Sequence, residues 1–183
     1  MNLAVVGTHA SGKTTLAERL SRSLSNYTVI DEPWYLLESQ GHHFSDPPTP
    51  DDFELQLACS LTSMEAATGN CIFDRSPIDF LAYLLAGPRN AAVDFDRWIP
   101  RVRQAVARLD LIVYVPLEEP DRMRDIPAER PRLRRRMDER LRELLEEDPW
   151  ELGARVLEVR GSVDERARQV LAHLRSGDTI DVR

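Results

Sequence analysis

The sequence predicts an α/β fold, a parallel sheet with helices on both faces. Three observations carry this. Short runs rich in Val, Ile and Leu recur along the chain, at 2–7, 27–32, 70–76, 110–117 and 154–161. Helix-period stretches separate them. Polar clusters sit at the C-terminal ends of the first three runs, where open α/β sheets bind ligands.

Each element has its own signal. NLAVVG, 2–7, is an apolar run stopped by glycine and reads as a strand. In KTTLAERLSRSL, 13–24, Leu16, Leu20 and Leu24 recur four apart, which predicts a helix. YTVIDE, 27–32, is a second strand that ends at Pro33. The Pro-rich HHFSDPPTP, 42–50, reads as a loop. A helix to about Thr68 follows, capped by Asp51 or Asp52, with Phe53, Leu57, Leu61 and Met64 on one side. NCIFDRS, 70–76, is the third strand, and Pro77 suits the first turn of the helix over 77–86. A helix over about 94–109 leads into the fourth strand, DLIVYVPL. Residues 121–147 read as helical and charged, broken near Pro127 and Pro131. ARVLEVRG is the fifth strand and 163–175 a closing helix. No repeat or long linker divides the chain, so one domain over 1–183 is expected.

Composition narrows the function. The net charge of −7 argues against general nucleic-acid binding. No apolar run reaches the roughly 18–20 residues of a membrane span, and no secretory signal pattern opens the chain. A cytoplasmic protein is the expectation. Cys59 and Cys71 make no metal spacing and read as buried free thiols. Against the acidic background, nine arginines crowd between Arg122 and Arg142.

Lys13 is the single lysine among 24 Lys+Arg residues. It stands in GTHASGKTT, which fits G-x-x-x-x-G-K-[ST] with a strand before and a helix after. Gly7 and Gly12 allow the tight turn whose N–H groups wrap phosphate. The helix start adds its dipole. Lysine reaches the terminal phosphates as a compact cation, where a guanidinium is bulkier and fixed in geometry. Gly7, His9, Ala10, Ser11, Gly12, Lys13, Thr14 and Thr15 are therefore the candidate nucleotide loop, with His9 filling a variable position. The Thr14 hydroxyl is a candidate Mg²⁺ ligand.

Asp74 ends the third run, where a carboxylate can hold Mg²⁺ or cap the next helix. Arg75 can reach phosphate or acceptor with its fork. Glu32, after the second strand, is placed to orient or deprotonate an attacking hydroxyl, while Asp31 either shares that candidacy, as Asp74 does, or belongs to the strand or turn. Trp34, Tyr35 and Phe44 can stack on a flat acceptor or simply pack. His42 and His43 resemble part of a cover more than a metal site.

These motifs, with FDRSPIDFLAYLLA, VYVPL, the Arg-rich segment and VRGSVDERARQV, resemble the P-loop kinases that act on nucleosides and nucleotides. The likeness is greatest to the AAA-type ATPase/kinase-like family that includes ribosylnicotinamide kinase domains. The resemblance implies five parallel strands in the order 2-3-1-4-5, Glu32 as base, and the triplet Asp74, Arg75 and Ser76 after strand three. It also implies an Arg-rich lid over about 118–147. Mobile arginines there would neutralise charge on the transferred group and exclude water. Arg130, Arg134 and Arg135 are the choices, with most other arginines pairing with Glu139, Glu143, Glu146 and Glu147 one turn away.

The reading is an ATP- and Mg²⁺-dependent kinase of a small hydroxyl-bearing acceptor, nucleoside-like above all. The rivals are a partner-binding regulatory ATPase and a kinase of an antibiotic or secondary metabolite. A GTPase switch is disfavoured, because the lone lysine leaves no N-K-x-D motif. The oligomeric state is open, with a homodimer among the options and Trp98 either at its interface or in the core.

Overall fold

The computed structural model describes residues 1–87, 93–118 and 130–176. Five parallel strands form the sheet: β1 (Asn2–Val6), β2 (Tyr27–Ile30), β3 (Asn70–Asp74), β4 (Leu111–Tyr114) and β5 (Val156–Glu158). Their order is β2-β3-β1-β4-β5, as the resemblance implies. Helices α1 (Lys13–Ser23), α2 (Pro33–Ser39), α3 (Pro50–Ala66), α4 (Pro77–Ala86), α5 (Phe95–Val106), α6 (Arg130–Glu146) and α7 (Val163–Ser176) fill the connections.

The central strands β1, β3 and β4 are buried on both faces because their side chains alternate between two apolar layers, and the edge strands β2 and β5 are only partly covered. From β1, Leu3 and Val5 pack with Leu16 and Leu20 of α1 and with Ala167 and Val170 of α7. Ala4 and Val6 point to the opposite layer, with Leu57 and Leu61 of α3, Phe80 and Leu81 of α4, Val102 of α5 and Met137 and Leu141 of α6. This continuous burial is why the strands read as unbroken apolar runs.

The helix starts follow local chemistry. Thr49, not Asp51 or Asp52, caps α3, and Asp52 closes a capping box by accepting the Thr49 N–H. Ser76 and Asp79 form a second capping box at α4. Asp74 is therefore free of the capping task that the sequence left open. Helix α2 was not expected from the sequence. Its seven residues begin with Pro33 at a position suited to proline, and only Pro33 and Leu37 are buried.

Trp98 is buried in the core, so the interface alternative for it falls away. Cys71 is buried and Cys59 partly so, both as free thiols. Residues 119–129, which contain Arg122 and Arg124 and most of the break near Pro127, lie outside the described residues. No helix among the described residues is long and apolar enough to cross a membrane.

Candidate active site

β1 and β3 are neighbours, with Val5 level with Asp74, so the loop after β1 and the turn after β3 meet at one edge of the sheet. The Gly7–Thr14 loop is packed too closely for a side chain at its first glycine. A Cβ on Gly7 would lie 2.4 Å from the Val115 carbonyl oxygen. At Gly12, φ is 90°, in the left-handed region. Ala10 also has positive φ, at 57°. The loop ends in α1, whose first residue is Lys13.

Lys13 is buried and folds back so that Nζ donates to the Thr8 carbonyl at 2.8 Å. Burial, and then the Arg75 charge, lower its pKa to about 8, against the pull of Glu32, Asp74 and Asp79. Thr14 donates its hydroxyl to Asp74 Oδ2 at 2.5 Å. Asp74 Oδ1 is buried with no hydrogen-bond partner among the described residues. Burial raises the Asp74 carboxyl, against Lys13 and the Thr14 bond. A hydroxyl and a partly unpaired carboxylate side by side are hard oxygen donors, the set that fits Mg²⁺.

Arg75 takes a positive φ of 77°, and its N–H donates to the Val5 carbonyl. This turn sends its side chain inward, where it is 4% exposed. Nε donates to Glu32 Oε1 at 2.5 Å and Nη1 to the Gly7 carbonyl at 3.0 Å. Asp79 Oδ1 lies 3.5 Å from Nη1. Burial would raise the Glu32 carboxyl, but Arg75 and Lys13 overcome it and hold the group below its ordinary range. Glu32 stands immediately before α2, and Asp31 is exposed.

A cavity of about 1020 Å³ opens in front of these groups. Lys13, Thr14, Thr15, Glu32 and Arg75 line it, together with Trp34, Tyr35, Phe44, Phe53, Gln56 and Tyr83. The rings are ordered in pairs. Trp34 stacks on Phe44 with centroids 3.8 Å apart, and Phe53 on Tyr83 at 4.7 Å and 5° between planes. His42 meets the edge of Phe44 and lies 3.7 Å from Asp52. His42 thus packs beside Phe44 while His43 is exposed, and no group able to hold a metal by three His, Cys, Asp or Glu side chains occurs among the described residues.

The arginine choices separate. Arg134 is buried, and its guanidinium donates to the carbonyls of His9 at 2.9 Å and Ala10 at 3.4 Å. Arg135 faces solvent. Arg130 opens α6, and its side chain is outside the described residues. Further along α6, Arg140 pairs with Glu143 and Arg142 with Glu146, the local pairing expected of that segment.

Sequence reasoning passed over three residues that hold the site. Asp79 accepts the Gly7 N–H at 3.0 Å and the Ser76 N–H at 2.8 Å, so one carboxylate joins the loop to α4. The S-x-x-D spacing from Ser76 was its available signal. Tyr83, one turn further, accepts the His9 N–H at 3.0 Å. Arg166 of α7 donates to the Ser11 carbonyl at 2.8 Å and to Glu118 at 3.1 Å. No local pattern marks that long-range bond.

This geometry is matched by what the chain resembles. The family model described as AAA domain matches residues 2–166. The chain belongs to the AAA domain family. Solved structures related to this AAA domain share its fold at low identity. Deoxyadenosine kinase from M. mycoides with bound dATP is 15% identical, with a TM-score of 0.66 over 96% of this chain and 100% of that one. NadR in complex with NR is 21% identical with a TM-score of 0.67, covering all of this chain and 50% of that one. Thymidylate kinase from Candida albicans is 18% identical with a TM-score of 0.63, over 96% of this chain and 91% of that one. No curated protein matches the sequence. The fold of this AAA domain is thus that of the P-loop kinases.

Proposed function

We propose that the protein transfers the γ-phosphoryl group of ATP to a hydroxyl of a small, nucleoside-like acceptor, with Mg²⁺. One observation carries this reading. The Gly7–Thr14 loop, with Thr14 bonded to Asp74, and the Glu32–Arg75 pair line one cavity that Trp34, Tyr35, Phe44, Phe53 and Tyr83 line as well. A loop for phosphate alone would not need that aromatic lining.

The loop N–H groups and Lys13 hold the β- and γ-phosphates, and Lys13 must swing from the Thr8 carbonyl to do so. Thr14 and Asp74 would hold Mg²⁺, which supplies charge neutralisation on the phosphates. Glu32 accepts a hydrogen bond from the acceptor hydroxyl and aims its oxygen at the γ-phosphorus. The new O–P bond forms as the bond to the β–γ bridging oxygen breaks. ADP leaves with that electron pair, and the hydroxyl proton passes to Glu32. A carboxylate held below its ordinary range is a weak base. That suffices where the transition state is loose and positioning dominates.

Arg75 fixes the Glu32 carboxylate and keeps it ionised. Arg134, on the carbonyl side of the loop, is placed to support it. The stacked rings offer a flat acceptor apolar surface and exclude water.

The test is product analysis with ATP and Mg²⁺ against nucleosides, nucleotides, sugars and aminoglycosides. A phosphorylated acceptor formed with ADP, and absent with Lys13→Ala, supports the reading. ATP hydrolysis stimulated by a protein and no phosphorylated acceptor would replace it with a regulatory ATPase.

A further inference from the structure

Tyr83 lines the cavity and touches both the Gly7–Thr14 loop and α3. It sits on α4, two turns beyond the Ser76 cap, and is 4% exposed. Its hydroxyl accepts the backbone N–H of His9 at 3.0 Å and lies 3.3 Å from His9 Nδ1. Its ring lies parallel to Phe53 of α3, and Arg75 stands 5.4 Å from the ring centroid on the cation–π side. The polar end therefore addresses the phosphate loop. The aromatic end packs on Phe53 of α3.

The held peptide is at the bend of the loop. His9 precedes Ala10, whose φ is positive. The His9 carbonyl is taken by Arg134. The peptides flanking His9 are thus gripped from α4 on one side and α6 on the other. A loop that adjusts around phosphate must either keep the His9–Tyr83 bond and carry the Tyr83 ring with it, or break that bond. Close packing transmits such a shift to the stacked partner.

We infer that Tyr83 is a positioning residue that couples the phosphate loop to the acceptor wall at Phe53. The inference rests on the proposed nucleotide role of the loop and deepens it. Nucleotide binding orders the start of α3 through the Tyr83 ring, and by linkage an occupied acceptor wall favours nucleotide. Physically, the bistable element is the His9–Tyr83 hydrogen bond.

Amide hydrogen exchange read by mass spectrometry, with AMP-PNP and Mg²⁺ as the probe, tests this. In the wild type, saturating AMP-PNP slows exchange in the loop over 7–15 and also in α3 over 53–57. Tyr83→Phe keeps the ring and removes the hydroxyl's contacts with His9 N–H and Nδ1, so AMP-PNP affinity falls about two- to tenfold. At saturation the loop stays protected in that variant, and α3 returns to its ligand-free rate. Phe53→Leu removes the stacked ring, giving the same loss at α3 while the loop stays protected at saturation.

A merely structural role would speed exchange evenly, without this split. Protection of α3 that persists in Tyr83→Phe, or a wild type that responds only in the loop, overturns the coupling. A wild type that fails to bind AMP-PNP at all contradicts the proposed function, and the inference with it. That result is distinct, because it appears before either variant is made.

Discussion

Thr14 and Asp74 are joined by a 2.5 Å hydrogen bond from the hydroxyl of one to the carboxylate of the other. The bond links the first turn of α1 to the end of β3, and leaves Asp74 Oδ1 buried without a partner among the described residues. Asp74→Asn keeps the shape and removes the charge. The Mg²⁺ concentration needed for half-maximal turnover should rise at least about tenfold, the loss expected of one hard anionic ligand. Magnesium titration of variant and wild type checks this.

Lys13 gives a pH dependence with a definite sign. Its pKa is lowered to about 8 chiefly by burial. Bound phosphates favour the charged lysine, so nucleotide affinity should hold below about pH 8 and fall above it. Binding near pH 8–9 should take up a proton. Calorimetry in buffers of different ionisation enthalpy measures that uptake directly. For the free protein the sign is opposite. Between about 8 and the ordinary 10.5, the unfolded chain binds more protons, so the Lys13 contribution to stability improves as pH rises.

Glu32→Gln should lower kcat by about 10² or more while nucleotide affinity changes little. The variant leaves Arg75 with Asp79 and the Gly7 carbonyl, so folding survives. Equilibrium binding beside single-turnover transfer separates the two effects. Because the Glu32 carboxyl is held below its ordinary range, it stabilises the native state at neutral pH, and this is lost as pH falls through that lowered value.

Arg75→Met removes the guanidinium between the buried Asp79 carboxylate and the partly buried Glu32 carboxylate. The unpaired charges should cost about 3–5 kcal/mol of stability, which chemical denaturation can read. Gly7→Ala acts differently. Its new methyl meets the Val115 carbonyl at 2.4 Å, at a φ of 147°. About 3 kcal/mol or more should be lost, and nucleotide binding with it.

The sheet was legible in the sequence because its central parallel strands, buried on both faces, read as continuous apolar runs, and each run lies within a residue or a few of its strand. The tight turn after β1 was legible because its bend admits few residue types, with Gly7 and Gly12 both at positive φ. Helix α2 was not, since seven residues are too few for a period to emerge. The choice of cap at α3 was missed because Thr49, Asp51 and Asp52 all have cap chemistry. Only the three-dimensional turn selects Thr49. Asp79, Tyr83 and Arg166 hold the site through bonds spanning 72, 74 and 155 positions, which local pattern does not encode.

The central claim is phosphoryl transfer to a small hydroxyl acceptor. Its most direct test follows the label of γ-³²P-ATP into products across the acceptor panel, in wild type and Glu32→Gln. The account predicts one class of acceptor that takes the label in the wild type, with loss of transfer but not of ATP binding in the variant. Label released only as inorganic phosphate, equally in both proteins, would contradict it.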